Sequence, residues 1–260
     1  MLRREMRAVG GLEVELIRGG SGRHTLVLHG FHNLTPEAAF LRSLAGHVEV
    51  LAPSLPGFGA TPRPDNLDTV YDLVHSCRDL IDALNLGALN LVGLSFGGWL
   101  ALELAAGGLP LERLALVDTL GLKLGGPETR DIADVFNLHP DEVRSRSWHD
   151  PELGVVDFDA MTDDAIVTYA RNRESLCLYG WEPYMHTPAL RHWLHRVRVP
   201  TLVLWGESDR IVDIAYGRAL SGLLGDARFE TIPRAGHHPE LEQPRYLADR
   251  IGTFFNDSRD

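Results

Sequence analysis

The chain has 260 residues, of which 44% are hydrophobic, and this is enough to bury the core of one α/β domain. Its 25 basic and 36 acidic residues leave a formal net charge of -11, which argues against binding to nucleic acid or to an anionic membrane surface. We therefore expect one domain that carries an insertion and whose partner is a small molecule.

The N-terminal segment and the cysteines indicate a cellular location. Residues 1–7 are charged and are not followed by the apolar run of a signal peptide, and no apolar stretch approaches the length of a membrane span. Cys77 and Cys177 lack the Cys-x-x-Cys spacing of redox and zinc sites. These features predict a cytoplasmic protein with reduced thiols and no bound metal.

Short apolar runs bounded by Gly, Pro or Asp alternate with longer amphipathic stretches, which is typical of parallel strands joined by helices. Predicted strands cover residues 12–17, 24–28, 48–52, 90–93, 113–117, 201–205 and 228–232. Predicted helices cover residues 37–44, 69–84, 96–106, 214–224 and 244–255. In the second helix the apolar residues recur at steps of three and four, so they lie on one face. The pattern predicts an α/β fold with a mostly parallel sheet.

The alternation stops between residues 119 and 196. This stretch is far too long for an unstructured connection in a compact domain, and it is rich in aromatic side chains. We interpret it as a helical cap, with residues 1–118 and 197–260 as the two parts of the core domain. A cap over the edge of a sheet also covers any pocket beneath it.

The segment Gly93-Leu94-Ser95-Phe96-Gly97-Gly98 joins a predicted strand to a predicted helix. A serine at so sharp a turn has a strained backbone and a projecting hydroxyl, and the small residues on either side let the chain pass close by. The segment therefore predicts Ser95 as a nucleophile.

Other candidate groups follow neighbouring strands. His237 follows the last predicted strand and can accept the proton of Ser95, and Asp209 follows the preceding strand and can fix the imidazole tautomer. The backbone N–H groups of Phe31, in the turn 29–32, and of Phe96 are candidates to stabilise negative charge on a substrate oxygen. Together these groups predict acyl-transfer chemistry.

Five segments of the chain resemble the α/β-hydrolase superfamily: residues 29–31, 55–59, 93–98, 200–210 and 235–244. The resemblance covers nearly the whole chain outside the predicted cap. It implies an eight-stranded, mostly parallel sheet flanked by helices, no metal and no organic cofactor. It also implies that Ser95, Asp209 and His237 form a catalytic triad.

Two positions in this triad have an alternative. His238 adjoins His237, but His237 directly follows Gly236, as the base does in the resembled family. Asp118 also ends a strand, and some members of the superfamily take their acid from that position. We favour His237 and Asp209. Four side chains are expected to line the substrate pocket: His29, Trp181, Tyr184 and His238.

The resemblance implies a serine hydrolase that cleaves a carboxylic ester through an acyl-enzyme on Ser95. The apolar cap favours a small to medium, partly hydrophobic ester, lactone or thioester. Arg171 and Arg173, in the cap, are candidates to attract a substrate carboxylate. The oligomeric state is left open by the sequence.

Capped relatives cleave carbon-carbon bonds in vinylogous diketone acids that arise during aromatic-ring degradation, and this is the second hypothesis. Those enzymes usually have Asn before the nucleophile and Trp after the catalytic His, where this chain has Leu94 and His238. Peracid chemistry is a further use of the same triad. A non-catalytic receptor or a biosynthetic accessory protein on this fold is disfavoured because all three triad residues are present.

Overall fold

The computed structural model describes residues 1–257, and its centre is an eight-stranded sheet. The strands are β1 (Arg3–Val9), β2 (Leu12–Gly20), β3 (His24–Leu28), β4 (Glu49–Pro53), β5 (Leu89–Leu94), β6 (Leu111–Val117), β7 (Thr201–Gly206) and β8 (Ala227–Ile232). Their order is β1-β2-β4-β3-β5-β6-β7-β8. Strand β2 is antiparallel to β1 and β4, and the remaining neighbours are parallel. The expected fold class is confirmed.

Helices flank this sheet and fill the long connection between β6 and β7. The helices are α1 (Ala39–Leu44), α2 (Val70–Ala83), α3 (Phe96–Ala106), α4 (Pro140–Ser147), α5 (Asp163–Gly180), α6 (Leu190–Trp193), α7 (Ile214–Leu223), α8 (Pro239–Glu242) and α9 (Pro244–Phe255). In the described part of the chain, no helix combines the length and the apolar character needed to cross a membrane.

The central strands of the sheet are buried on both faces. Leu26 and Leu28 of β3 belong to the apolar cluster that includes α2 and α3, whereas Val27 belongs to the cluster that includes α1 and α9. Because successive residues of a strand point to opposite faces, a strand covered on both sides needs a continuous apolar run. The predicted strands 24–28 and 201–205 have mainly apolar runs of this kind, and all seven predicted strands are present with bounds that differ by at most three residues.

Strand β1 was absent from the sequence-based prediction. It lies at the edge of the sheet, and its residues Arg3, Arg4, Glu5 and Arg7 are wholly or partly exposed. A two-residue turn at Gly10 and Gly11, both with positive φ, pairs it with β2 as a hairpin. An edge strand of this kind has no buried apolar run by which its sequence could reveal it.

The connection between β6 and β7 spans residues 118–200. It contains α4, α5 and α6 with short 3-10 turns, and its only bridges in the described chain are the isolated pairs Gly121 with His186 and Ile132 with Val212. Residues of α4 and α5 line a cavity that Ser95 also lines, whereas α6 packs against α3. Part of the connection is therefore placed beside Ser95.

Candidate active site

Ser95 lies between β5 and α3 in a strained backbone conformation, with φ 49° and ψ -112°. A non-glycine residue in such a conformation costs about 1–3 kcal/mol, so the surrounding structure must impose it. A Cβ on Gly93 would lie 2.5 Å from Gly98 Cα, and a Cβ on Gly97 would lie 2.2 Å from Leu28 O. Glycine at these positions is what allows the turn to be this tight.

The three residues of the predicted triad form one chain of hydrogen bonds. Ser95 Oγ lies 2.7 Å from His237 Nε2, and His237 Nδ1 lies 2.8 Å from Asp209 Oδ2. The other oxygen of Asp209 accepts the backbone N–H groups of Ile211 and Val212, at 2.8 and 3.0 Å. Both Asp209 and His237 are buried. This arrangement can pass the serine proton to the imidazole and stabilise the imidazolium that forms.

The loops that carry the acid and the base approach each other through two glycines. A Cβ on Gly206 would lie 1.9 Å from the carbonyl oxygen of Gly236, and a Cβ on Gly236 would lie 2.2 Å from the carbonyl oxygen of Ser147. The amide of His237 donates to that same oxygen of Ser147 at 2.6 Å. The imidazole is therefore positioned by backbone contacts on two sides.

Charge near His237 favours its protonated form. Burial lowers the pKa of His237, but the charge of Asp209, the hydrogen bond to Asp209 and the charge of Glu240 together raise it above the ordinary 6.5. A base with a raised pKa is a stronger proton acceptor, which suits the removal of a proton from a serine hydroxyl.

Asp118, the alternative acid, occupies a different place from the one that the triad requires. Its Oδ1 accepts the backbone N–H of Gly206 at 2.8 Å, and the imidazole nitrogen of His237 bonds to Asp209 instead. Burial and the neighbouring charge of Asp209 raise the pKa of Asp118 well above its ordinary value. Asp118 is therefore harder to ionise than an ordinary aspartic acid.

The two candidate oxyanion donors belong to residues near Ser95. Phe96 is the first residue of α3, and a Cβ on Gly30, next to Phe31, would lie 3.1 Å from Ser95 Cβ. Neither the Phe31 N–H nor the Phe96 N–H has an acceptor among residues 1–257. Both amides are thus available to a ligand at Ser95.

Ser95 and His237 open into a cavity of about 320 Å³. Its wall comes mainly from the connection between β6 and β7 and is mostly apolar; it includes Leu120, Ile132, Phe136, Val143, Leu176 and Met185. This volume is at the lower end of the range for small-molecule sites. The cavity therefore fits a small or medium, largely apolar ligand.

Two arginines interrupt this apolar wall. Arg144 bonds to Asp141 at 3.1 Å through one terminal nitrogen, while its buried Nε has no partner within residues 1–257. Arg173 has neither a hydrogen bond nor an ion pair in the described chain. Arg171, by contrast, donates to the carbonyl oxygen of Gly59 at 2.8 Å. Of the two arginines that the sequence indicated, only Arg173 faces the cavity.

Of the four side chains expected in the pocket, the structure places only His238 in the cavity wall. His29 is fully buried; its Nε2 accepts the N–H of Leu55 at 3.0 Å, and burial lowers its pKa to about 4. Trp181 and Tyr184 line a second cavity on the connection, and the Tyr184 hydroxyl donates to Ala133 O at 2.6 Å. Sequence alone could not show to which side of the connection these aromatic residues turn.

His32 and Trp148 line the cavity but were not predicted to do so. The ring of His32 lies 4.8 Å from that of His238, and Trp148 lies 5.0 Å from His238, measured between ring centroids. Burial and the neighbouring histidines lower the pKa of His32 to about 3. The position of His32 beside Phe31 was a sequence feature that could have placed it in the cavity wall. No sequence feature indicated this location for Trp148.

Polar side chains on one face of α5 fix this helix to the core. Asn172 accepts the N–H of Gly59 at 3.1 Å and donates to Asn33 at 2.8 Å. Ser175 donates to Gly57 O at 2.8 Å, and Tyr179 donates to Pro56 O at 3.2 Å. Residues 172, 175 and 179 are spaced by three and four positions, so they lie on one face of the helix. This polar stripe is the sequence feature that could have indicated which face of α5 contacts the core.

Comparison with known proteins agrees with this geometry. The model of the alpha/beta hydrolase family matches residues 25–250. The chain is 26% identical to 2-hydroxy-6-oxo-2,4-heptadienoate hydrolase of Pseudomonas putida, over 96% of this chain and 95% of that protein. It is 27% identical to 2-hydroxy-6-oxo-6-(2'-aminophenyl)hexa-2,4-dienoic acid hydrolase of Metapseudomonas resinovorans, over 95% of this chain and 89% of that protein.

Among solved structures, a bacterial membrane phospholipase A superposes with a TM-score of 0.75 at 25% identity, over 98% of this chain and 86% of that chain. These similar proteins are named for different substrates, so the feature that they share with this chain is the fold. The match to the family model over most of the chain, together with the eight-stranded sheet, shows that this chain belongs to the alpha/beta hydrolase family.

Proposed function

We propose that the protein is a serine hydrolase that cleaves a carboxylic ester, lactone or thioester through an acyl-enzyme on Ser95. The observation that carries this proposal is the hydrogen-bond chain from Ser95 Oγ to His237 Nε2 and from His237 Nδ1 to Asp209, at 2.7 and 2.8 Å. A serine in a strained turn beside an oriented imidazole is the arrangement that nucleophilic catalysis requires.

In the first half of the reaction, Ser95 Oγ attacks the substrate carbonyl carbon while His237 Nε2 takes the hydroxyl proton. The oxygen of the tetrahedral intermediate accepts hydrogen bonds from the N–H groups of Phe31 and Phe96. His237 then gives its proton to the leaving alcohol, and the acyl group stays on Ser95. In the second half, His237 activates water to release the acid and regenerate Ser95.

The cavity supports a small to medium, partly hydrophobic acyl group. Its volume is about 320 Å³ and its wall is mostly apolar. We also propose that residues 119–196 form a cap, with residues 1–118 and 197–260 as the core. In support, α5 and α6 lie in this stretch, and Leu176 and Met185 from it line the same cavity as Ser95.

A carbon-carbon hydrolase is the second candidate, and a specific observation favours it. The two relatives reported above are named as hydrolases of dienoic acids, which carry a carboxylate. In this chain, Arg173 and Arg144 line the cavity that contains Ser95, and the Nε of Arg144 has no hydrogen-bond partner among residues 1–257. Leu94 and His238, where such enzymes usually have Asn and Trp, rank this candidate below the ester hydrolase.

Fluorophosphonate labelling tests the nucleophile. The wild type should be labelled at one site, Ser95→Ala should not be labelled, and Ser145→Ala, an exposed serine in α4, should behave like the wild type. A folded wild type that resists labelling contradicts the proposal and favours a receptor. Nitrophenyl esters of increasing chain length, assayed beside a 2-hydroxy-6-oxo-dienoate, then separate the two candidate bonds. Turnover of the dienoate and of no ester would reverse our ranking.

A further inference from the structure

Asp118 is a second buried carboxyl group next to the proposed triad. It directly follows β6, is fully buried, and has a positive φ of 43°. One oxygen of Asp118, one oxygen of Asp209 and a ring nitrogen of His237 all lie within 4.8 Å of one another. The structure therefore holds two acids and one imidazole in a single buried cluster.

The hydrogen bonds around this cluster are unequally distributed. Asp209 accepts two backbone N–H groups on Oδ1 and the His237 N–H on Oδ2. Among residues 1–257, Asp118 accepts only the N–H of Gly206, on Oδ1. Its Oδ2 is buried and has no donor among residues 1–257. An ionised carboxylate is stable in a buried place only when donors surround it, and here Asp209 has three donors whereas Asp118 has one.

The other charges that face Asp118 do not favour its ionisation. Asp209, on the loop after β7, and Glu240, on α8, are both acidic and act against a negative charge on Asp118. His237, on the loop after β8, is neutral in the state that accepts the serine proton. Two carboxyl groups in such a site share one proton, because two adjacent buried anions repel each other strongly.

We propose that Asp118 is a positioning residue of the triad: it keeps the shared proton on Oδ2 and donates it in a hydrogen bond to the Asp209 carboxylate. This inference rests on the proposed function only for its effect on reactivity. The location of the proton can be tested without turnover.

A proton at this place has two consequences for the triad. It gives Asp209 a fourth donor, which holds the carboxylate in one orientation against His237. It also spreads the negative charge of Asp209, so that the carboxylate stabilises the imidazolium less strongly than a freely accepting carboxylate would. The proton stays on Asp118 throughout the cycle, because His237 alone exchanges protons with Ser95 and the leaving group.

Two substitutions at this position separate a neutral donor from a charged acid. In Asp118→Asn, the side-chain amide keeps both an acceptor for the Gly206 N–H and a donor toward Asp209, and it cannot ionise. In Asp118→Ala, both interactions are lost. The probe is the rate of fluorophosphonate labelling of Ser95 as a function of pH, since this rate requires neutral His237.

We expect the labelling rate of Asp118→Asn to stay within about threefold of the wild type, because the hydrogen bond to Asp209 is retained. The acid limb of its pH profile, where the rate falls as His237 becomes protonated, should be unchanged. In Asp118→Ala the acid limb should move to higher pH by about 0.5–1 unit, because Asp209 then stabilises protonated His237 more strongly. Asp131→Asn is the matched control: Asp131 also accepts backbone N–H groups, those of Leu124 and Gly125, but it is outside the cluster. It should leave the acid limb unchanged.

Infrared spectroscopy locates the proton directly. At neutral pH the wild type should show the carbonyl stretch of a protonated carboxylic acid, and Asp118→Asn should lack it. Absence of this band from the wild type, or its persistence in Asp118→Asn, overturns the proposal. A hundredfold loss of labelling in folded Asp118→Asn also overturns it, because the site would then need an ionised Asp118. The proposal is also overturned if the acid limb of the pH profile is unshifted in folded Asp118→Ala.

The two proposals fail in different ways. If no variant and no wild type is labelled, the serine hydrolase fails, while the infrared band still decides where the proton lies. If labelling is normal but the band is missing, only the role of Asp118 is lost.

Discussion

The carbonyl oxygen of Ser147 accepts a 2.6 Å hydrogen bond from the backbone N–H of His237. Ser147 is the last residue of α4, so the connection between β6 and β7 directly holds the loop of the candidate base. Gly236 makes this contact possible, because a Cβ at that position would lie 2.2 Å from the same oxygen. The cover of the cavity and the position of the imidazole are thus linked.

Gly236→Ala should separate this loop from Ser147. We expect the fluorophosphonate labelling rate to fall by at least about tenfold and the protein to lose about 1–3 kcal/mol of unfolding free energy. Gly225→Ala is the control, since a Cβ there meets no atom within 4 Å. Equal labelling rates for the two variants would show that the contact does not position His237.

Asp209→Asn should leave the fold intact and remove the anionic partner of His237. By analogy with the serine proteases, we expect kcat for a nitrophenyl ester to fall by about 10³–10⁴-fold, with little change in melting temperature. Asp118→Asn, measured in parallel, should reduce kcat only slightly. The reverse order of effects would assign the acid to Asp118.

The pH dependence follows from the raised pKa of His237. Activity requires the neutral imidazole, so kcat/KM should fall as the pH decreases through a midpoint above 6.5. The stability that protonated His237 contributes has the opposite sign: it is fully present below the unfolded-state pKa and is lost as the pH rises through the folded-state pKa. A midpoint well below 6.5 in the rate profile would contradict this environment for His237.

Asn172→Ala should loosen the cover, because Asn172 joins α5 to both Gly59 and Asn33. Since the loss leaves the buried Gly59 N–H unpaired, we expect a destabilisation of about 1–3 kcal/mol, measured by urea unfolding. Asn137→Ala lies in the same connection and is exposed, so it should change stability by less than about 0.5 kcal/mol. Similar midpoints for the two variants would mean that this anchor contributes little.

Arg173→Met tests whether the cavity recognises acids. If Arg173 binds a substrate carboxylate, kcat/KM should fall about 10- to 100-fold for the mono-nitrophenyl ester of a dicarboxylic acid and stay nearly constant for nitrophenyl butyrate. Arg196→Met, an exposed arginine that does not line the cavity, is the control. The same loss on both esters would indicate a packing effect and not charge recognition.

The buried strands and the positions of Ser95, Asp209 and His237 could be predicted because each follows from a general rule of parallel sheets. Strands covered on two faces are continuous apolar runs, and residues that follow parallel strands meet at the same edge of the sheet. The structure places Ser95, Asp209 and His237 at that edge after β5, β7 and β8. Local sequence and global topology agree at these positions.

The wall of the cavity could not be predicted in the same way. His238 lies in the wall, whereas Trp181 and Tyr184 turn toward a second cavity. Helix α5 contacts backbone groups of the core through polar residues such as Asn172. The spacing of its apolar residues therefore does not indicate which face of the helix is buried. Trp148 approaches His238 only through tertiary packing that no local pattern encodes.

Gly206 carries no reactive group. It nevertheless limits which related chains can bring a serine, an aspartate and a histidine together in this arrangement. A Cβ there would lie 1.9 Å from Gly236 O, a separation that no side chain can occupy. A homologue that keeps the serine, aspartate and histidine but has a larger residue at either glycine must open the gap between the ends of its last two strands. Such a homologue would pass a search for reactive residues although its acid and base loops lie farther apart, so both glycines belong in the criteria for assigning activity across relatives.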